Sequence, residues 1–114
     1  VRDRERSFDE LVERALEGLP PEIAELLDNV AIVIEDRHEE DPSLYGLYEG
    51  VPLTERDTHY YGALPDRITI FQEPLERDFH TDAELERQVR ITVVHEIAHH
   101  FGFDEDRIEE LGWA

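Results

Sequence analysis

Residues 93–106 read VVHEIAHHFGFDED, and the rest of the chain takes its meaning from them. The stretch holds His95 and His99 four residues apart, with Glu96 directly after the first. Gly102 follows, and then Asp104, Glu105 and Asp106. On a helix, side chains four apart stack on one face. Two imidazoles so placed can aim a nitrogen each at one ion, at about 2.0–2.1 Å for zinc. The glutamate between them then faces a water on the ion rather than the ion itself.

The flanks support a helix. Thr81 or Asp82 supplies an N-cap, and Gly102 supplies the stop, so the spacing predicts one long helix from about 82 to 101. At about 100° per residue, Leu85, Val89, Ile91, Val93, Val94, Ile97, Ala98 and Phe101 cover most of its circumference. A helix apolar nearly all round is buried on most sides. The open sector holds Gln88, Thr92, His95 and His99, with Glu96 at its margin. His100 falls away from that sector, on an otherwise apolar side, where a histidine that is packed or that supports the ligands from behind is expected.

Catalytic zinc keeps three protein ligands and one open position. Gly102 lets the chain turn back across the ion, as in the extended pattern HExxHxxGxxH, whose third ligand stands ten residues after the first. That position here is Glu105, with Asp104 just before it. Spacing favours Glu105. Asp104 has a competing role as N-cap of a last short helix over 105–111. Both remain candidates.

The rest of the chain supplies further elements. Ser7 and Glu10 form a capping box before Leu11, Val12, Ala15, Leu16 and Leu19, which recur at helical spacing. Pro21 opens a second short helix over 21–29. Three strands are expected, over 30–34, 44–49 and 67–72, the last ended by Pro74. Residues 1–6 are expected to fray. The polar stretch 37–43 reads as a loop. Residues 53–65 form a longer one, carrying His59, Tyr60 and Tyr61 as weak candidates for stabilising an oxyanion. Trp113 is expected to fold back onto the body. No repeat or second domain is visible, so residues 1–114 are read as one domain.

Composition sets the outer limits. The chain has 114 residues, enough for one core. No cysteine is present, which removes disulfides, thiolate ligands and thiol catalysis. A net charge of −19 opposes binding to nucleic acid, whose phosphates need a basic surface. No apolar run is long enough to span a membrane and no signal peptide is visible, so a cytoplasmic protein without membrane contact is expected.

Three segments carry a resemblance: LYGLYEGVPLTER (44–56), LPDRITIFQEPL (64–75) and VVHEIAHHFGFDEDRIEELGW (93–113). Together they resemble a small bacterial family of zinc metallopeptidases with a minimal zincin-like fold, in order along nearly the whole chain from about Ser7 to Trp113. The resemblance implies an α+β fold. A small mixed sheet of about three strands would pack against the central HExxH helix, with helices before it and a short helix after it. It implies His95 and His99 as metal ligands, Glu96 as catalytic base, and Glu105 or Asp104 as acidic third ligand. Two departures from true metzincins stand out: the third ligand is a carboxylate, and no methionine exists for a Met-turn.

The expected activity is hydrolysis of peptide bonds in a peptide or protein substrate, through a zinc-activated water with Glu96 as general base. Zinc is the expected metal, though imidazole and carboxylate suit other divalent ions too. The substrate is expected to add to an exposed sheet edge, either 67–72 or 44–49. The competing expectation is a non-catalytic zincin-like domain that binds metal, a peptide or a partner. Such a closed site would want a fourth protein ligand, from His59, His80 or a nearby carboxylate.

Overall fold

A computed structural model describes residues 5–50 and 65–110, apart from the side chain of Glu105. The 53–65 loop up to residue 64, with His59, Tyr60 and Tyr61, lies outside the described residues, as do residues 1–4 and Trp113.

The element order is α1 (Phe8–Glu17), α2 (Pro21–Leu26), β1 (Val30–Glu35), β2 (Gly46–Glu49), β3 (Asp66–Phe71), α3 (Gln72–Asp78), α4 (Asp82–His100) and α5 (Glu105–Glu110). The fold is thus α+β, with a mixed three-stranded sheet and the motif helix α4 at its centre, compatible with a minimal zincin-like fold. Helices α1 and α4 each start at a capping hydroxyl. Ser7 accepts from the Glu10 amide at 3.2 Å, and Thr81 accepts from the Glu84 amide at 3.1 Å.

The capped α4 is buried along most of its length. Leu85, Val89, Val93, Val94, Ile97 and Ala98 are fully buried. They share one core with Leu11, Val12 and Ala15 of α1, Ile68 and Ile70 of β3, Leu75 of α3 and Ile108 of α5. The same helix is bound to α1 by polar contacts. Arg14 pairs with Glu86 at 2.8 Å, and Arg90 donates to the Ala15 carbonyl at 3.2 Å, covering an acceptor at the end of α1.

The sheet order is β1-β3-β2, with β1 parallel and β2 antiparallel to β3. The 67–72 segment is therefore the middle strand. Both its sides are paired, which removes it as an edge for an added peptide. Edge strand β2 lies against α4 and comes very close: a Cβ on Gly46 would stand 2.6 Å from Thr92 Cγ2 and 3.2 Å from the Thr69 carbonyl oxygen. The lead into β2 is fixed by Tyr45, whose hydroxyl donates to Asp78 Oδ2 at 2.6 Å. Hydrogen bonds from Arg77 and Tyr45 hold the Asp78 carboxyl at about 2.

Four expectations need correction. Pro74 does not end a strand; it sits in the first turn of α3, a helix the sequence reading did not include. A proline there removes no intrahelical bond, because the first amides of a helix have no partner within it. Phe101 is not buried but 43% exposed, since it caps α4 just before the chain turns. Glu5 and Arg6 are tied down, both backbone amides donating to Asp82 Oδ2 at 3.1 and 3.0 Å. Lastly, α2 ends at Leu26, short of 29. Among the described residues no helix is long and apolar enough to cross a membrane.

The close approach at Gly46 predicts that Gly46→Ala destabilises the domain by about 1–3 kcal/mol, as overpacking does. Thr92→Ser removes the nearest methyl and is expected to restore part of that loss. Urea denaturation of the two single variants and the double variant measures the coupling.

Candidate active site

The site grows from the last turns of α4 and the turn that follows. A helix repeats a row roughly every fourth residue. His95 and His99 occupy one such row, with ring centroids 6.0 Å apart and planes at 72°. His95 is half-buried and His99 exposed. Two imidazoles on one tetrahedral zinc place their ring centres about 5–5.5 Å apart, given Zn–N of about 2.0–2.1 Å. The observed separation is slightly wider, so a small rotation of the rings toward each other would bring the pair onto a shared ion.

The adjoining row is Thr92, Glu96 and His100, and it faces β2. Thr92 packs at Gly46, as described above. Glu96, half-buried, accepts from the Tyr48 backbone amide through Oε1 at 3.0 Å. His100 stacks on the Tyr48 ring, with centroids 3.8 Å apart and planes at 20°. The Tyr48 hydroxyl donates to Asp66 Oδ2 at 2.7 Å, and His100 Nε2 lies 4.0 Å from that same oxygen. His100 is therefore packed on an aromatic ring beside the Glu96 row and not in the apolar core. It is exposed and belongs to a cluster with Tyr48, Asp66 and Phe101, whose ring meets it edge-on. The sequence reading did not include Tyr48 and Asp66, which are distant in sequence from the motif. The one local signal was the four-residue recurrence Thr92–Glu96–His100.

The turn after the helix is built by Gly102 at φ 81°. The Phe103 amide reaches back to the Ala98 carbonyl at 2.7 Å and the Gly102 amide to His99 at 3.4 Å. This is a Schellman closure, and the left-handed glycine makes it possible. It delivers Asp104 to the start of α5, where Asp104 Oδ1 accepts from the Arg107 amide at 2.8 Å. Arg107 also pairs with Glu22, which fastens α5 to α2. The Asp104 cap expected from sequence is therefore formed, and one of its oxygens is engaged in it. Glu105 is the first residue of α5; its side chain lies outside the described residues. Among the described residues, no three His, Asp or Glu side chains converge as a metal cage. His80 is no candidate ligand. It precedes α4, and its Nε2 lies 2.9 Å from the Arg77 carbonyl oxygen. At about 1.5 Å per residue it stands roughly 20 Å from His95.

This histidine pair beside a glutamate, on a helix flanked by a short mixed sheet, is where the comparison with known families bears. The profile of zincin-like metallopeptidases matches residues 27–113. The chain belongs to the zincin-like metallopeptidase family. The match covers all three strands and the whole of α4 and α5, so it takes in every residue of the site described above. No curated protein matches the chain. For a zincin-like metallopeptidase, zinc is the metal the family implies in general.

The Asp104 cap gives a stability prediction separate from any metal. In metal-free protein, Asp104→Ala is expected to lose about 0.5–2 kcal/mol, while Asp104→Asn, which keeps a capping oxygen, loses little. Chemical denaturation of the two variants checks this.

Proposed function

We propose that this zincin-like domain hydrolyses peptide bonds, with zinc held by His95, His99 and an acidic third ligand. Glu105 is the preferred third ligand and Asp104 the alternative. The observation that carries the proposal is the pair of rows on α4. The two histidines lie together on one row, their rings a small rotation from a shared ion, and Glu96 lies on the next row, one residue along. The engagement of Asp104 in the α5 cap supports Glu105, because a capping carboxylate is less free to reorient toward an ion.

When bound there, zinc would supply a Lewis acid that polarises the scissile carbonyl and makes a water acidic near neutral pH. The chain supplies the rest. Glu96 takes the attacking water's proton and later hands it to the leaving amine, so the carboxylate is regenerated each cycle. The burial of α4 on its apolar faces holds all three motif side chains on one rigid element. With β3 paired on both sides, edge strand β2 is the remaining candidate to receive an extended peptide, through outward backbone groups other than the Tyr48 amide that Glu96 accepts from. A structural site has no use for a base beside its ligands, and the retention of Glu96 weighs against the non-catalytic reading.

Calorimetric titration of metal-stripped protein with zinc is the first test. One site is expected in the wild type and its loss in His95→Ala. Weaker binding is expected in Glu105→Ala; affinity unchanged in both Glu105→Ala and Asp104→Ala contradicts a carboxylate ligand. Glu96→Gln is expected to keep zinc and to lose cleavage of denatured casein by on the order of 10²–10⁴. Undiminished cleavage in that variant overturns the mechanism. Tight zinc binding by a wild type that cleaves nothing favours a peptide-binding zincin domain instead.

A further inference from the structure

We infer that Tyr48 is the positioning residue for Glu96, acting through its backbone amide. The inference rests on the reading of Glu96 as general base, and it adds a residue that neither the motif nor the family match singles out.

The strand register is the first ground. Phe71 donates to the Tyr45 carbonyl at 2.9 Å, so Tyr45 and Phe71 are a hydrogen-bonded pair. In an antiparallel ladder such pairs alternate with non-bonded ones. Leu47 opposite Thr69 and Glu49 opposite Arg67 therefore turn their peptide groups toward β3. Gly46 and Tyr48 turn theirs outward. An outward amide on an edge strand meets water unless something else takes it. At Tyr48 that acceptor is Glu96 Oε1, a residue 48 positions away in the chain.

The second ground is how Tyr48 itself is held. Its hydroxyl is bound to Asp66 at the start of β3, and its ring lies flat on His100, one turn beyond Glu96 on the same row of α4. The side chain thus spans from sheet to helix, and it fixes where the amide of its own residue points. Gly46, two residues earlier, keeps β2 close enough to α4 for that amide to reach the carboxylate. A glutamate side chain on a helix surface otherwise samples several rotamers. With Oε1 anchored to the strand, the carboxylate has one set orientation, and Oε2 is the oxygen left to exchange a proton.

The test is hydrogen exchange of the Tyr48 amide, followed by NMR in the metal-free full chain. In the wild type and in Glu96→Gln, which keeps a side-chain carbonyl oxygen, the amide is expected to be protected. In Glu96→Ala it is expected to exchange at least about tenfold faster, while the Leu47 and Glu49 amides, which face β3, keep their rates. A reciprocal measurement separates strand chemistry from side-chain packing. The Glu96 carboxyl carbon is expected to shift in Tyr48→Pro, which removes the amide without touching the β3 ladder, and to shift less in Tyr48→Ala, which keeps it. Equal Tyr48 exchange in the wild type and Glu96→Ala overturns the inference. So does parallel loss of protection at Leu47 and Glu49, which means the whole strand has lifted. Neither outcome depends on zinc or turnover, so the inference and the proposed function fail on different measurements.

Discussion

The constraint on which this domain depends is the burial of α4. Six of its side chains are fully shielded from water, packed by α1, α3 and α5 and by the central strand of the sheet. Each fully buried Leu, Ile or Val gains about 1.5–3 kcal/mol relative to exposure, so this one helix carries a large share of the favourable term. Its apolar surface also fixes its rotation about its own axis. A turn of one residue step, about 100°, would drive His95 or Glu96 into the core and bring a valine to the surface. The chemistry at its polar rows is thereby held in place by residues that take no part in it.

The polar rows have different surroundings. In the His95–His99 row, His95 is half-buried and His99 exposed. The Thr92–Glu96–His100 row is closed by edge strand β2, which comes near only because residue 46 carries no side chain. The strand thus meets a glutamate that stands beside two histidines, all within about one turn of helix. The Schellman turn at Gly102 completes the arrangement by returning the chain to the same end of the helix, with acidic residues at the return point.

Much of this was legible in the sequence, and what was missed has physical causes. The cap at Ser7, the α4 cap to within the pair Thr81 and Asp82, the glycine stop and the three strands were readable because each depends on neighbours a few residues away. The α+β class and the central motif helix followed from periodicity and from the resemblance in the three quoted segments. Helix α3 was lost because Pro74 looks the same in the first turn of a helix as at the end of a strand. Phe101 was misplaced because the wheel continues its apolar face past the point where the helix stops. The sheet order depends on contacts between strands far apart in the chain, so two edges stayed open until the structure put β3 in the middle. The environment of His100 was lost for the same reason. Its partners, Tyr48 and Asp66, come from strands whose approach to α4 no local pattern records.

The central claim is that His95 and His99 share one metal ion. X-ray absorption at the zinc edge on protein reconstituted with one equivalent of zinc addresses it directly. The account predicts two imidazole nitrogens at about 2.0–2.1 Å with oxygen ligands completing the shell, and loss of the imidazole scattering when both histidines are replaced by alanine. A zinc shell without imidazole scattering, or one unchanged by that double replacement, would contradict it.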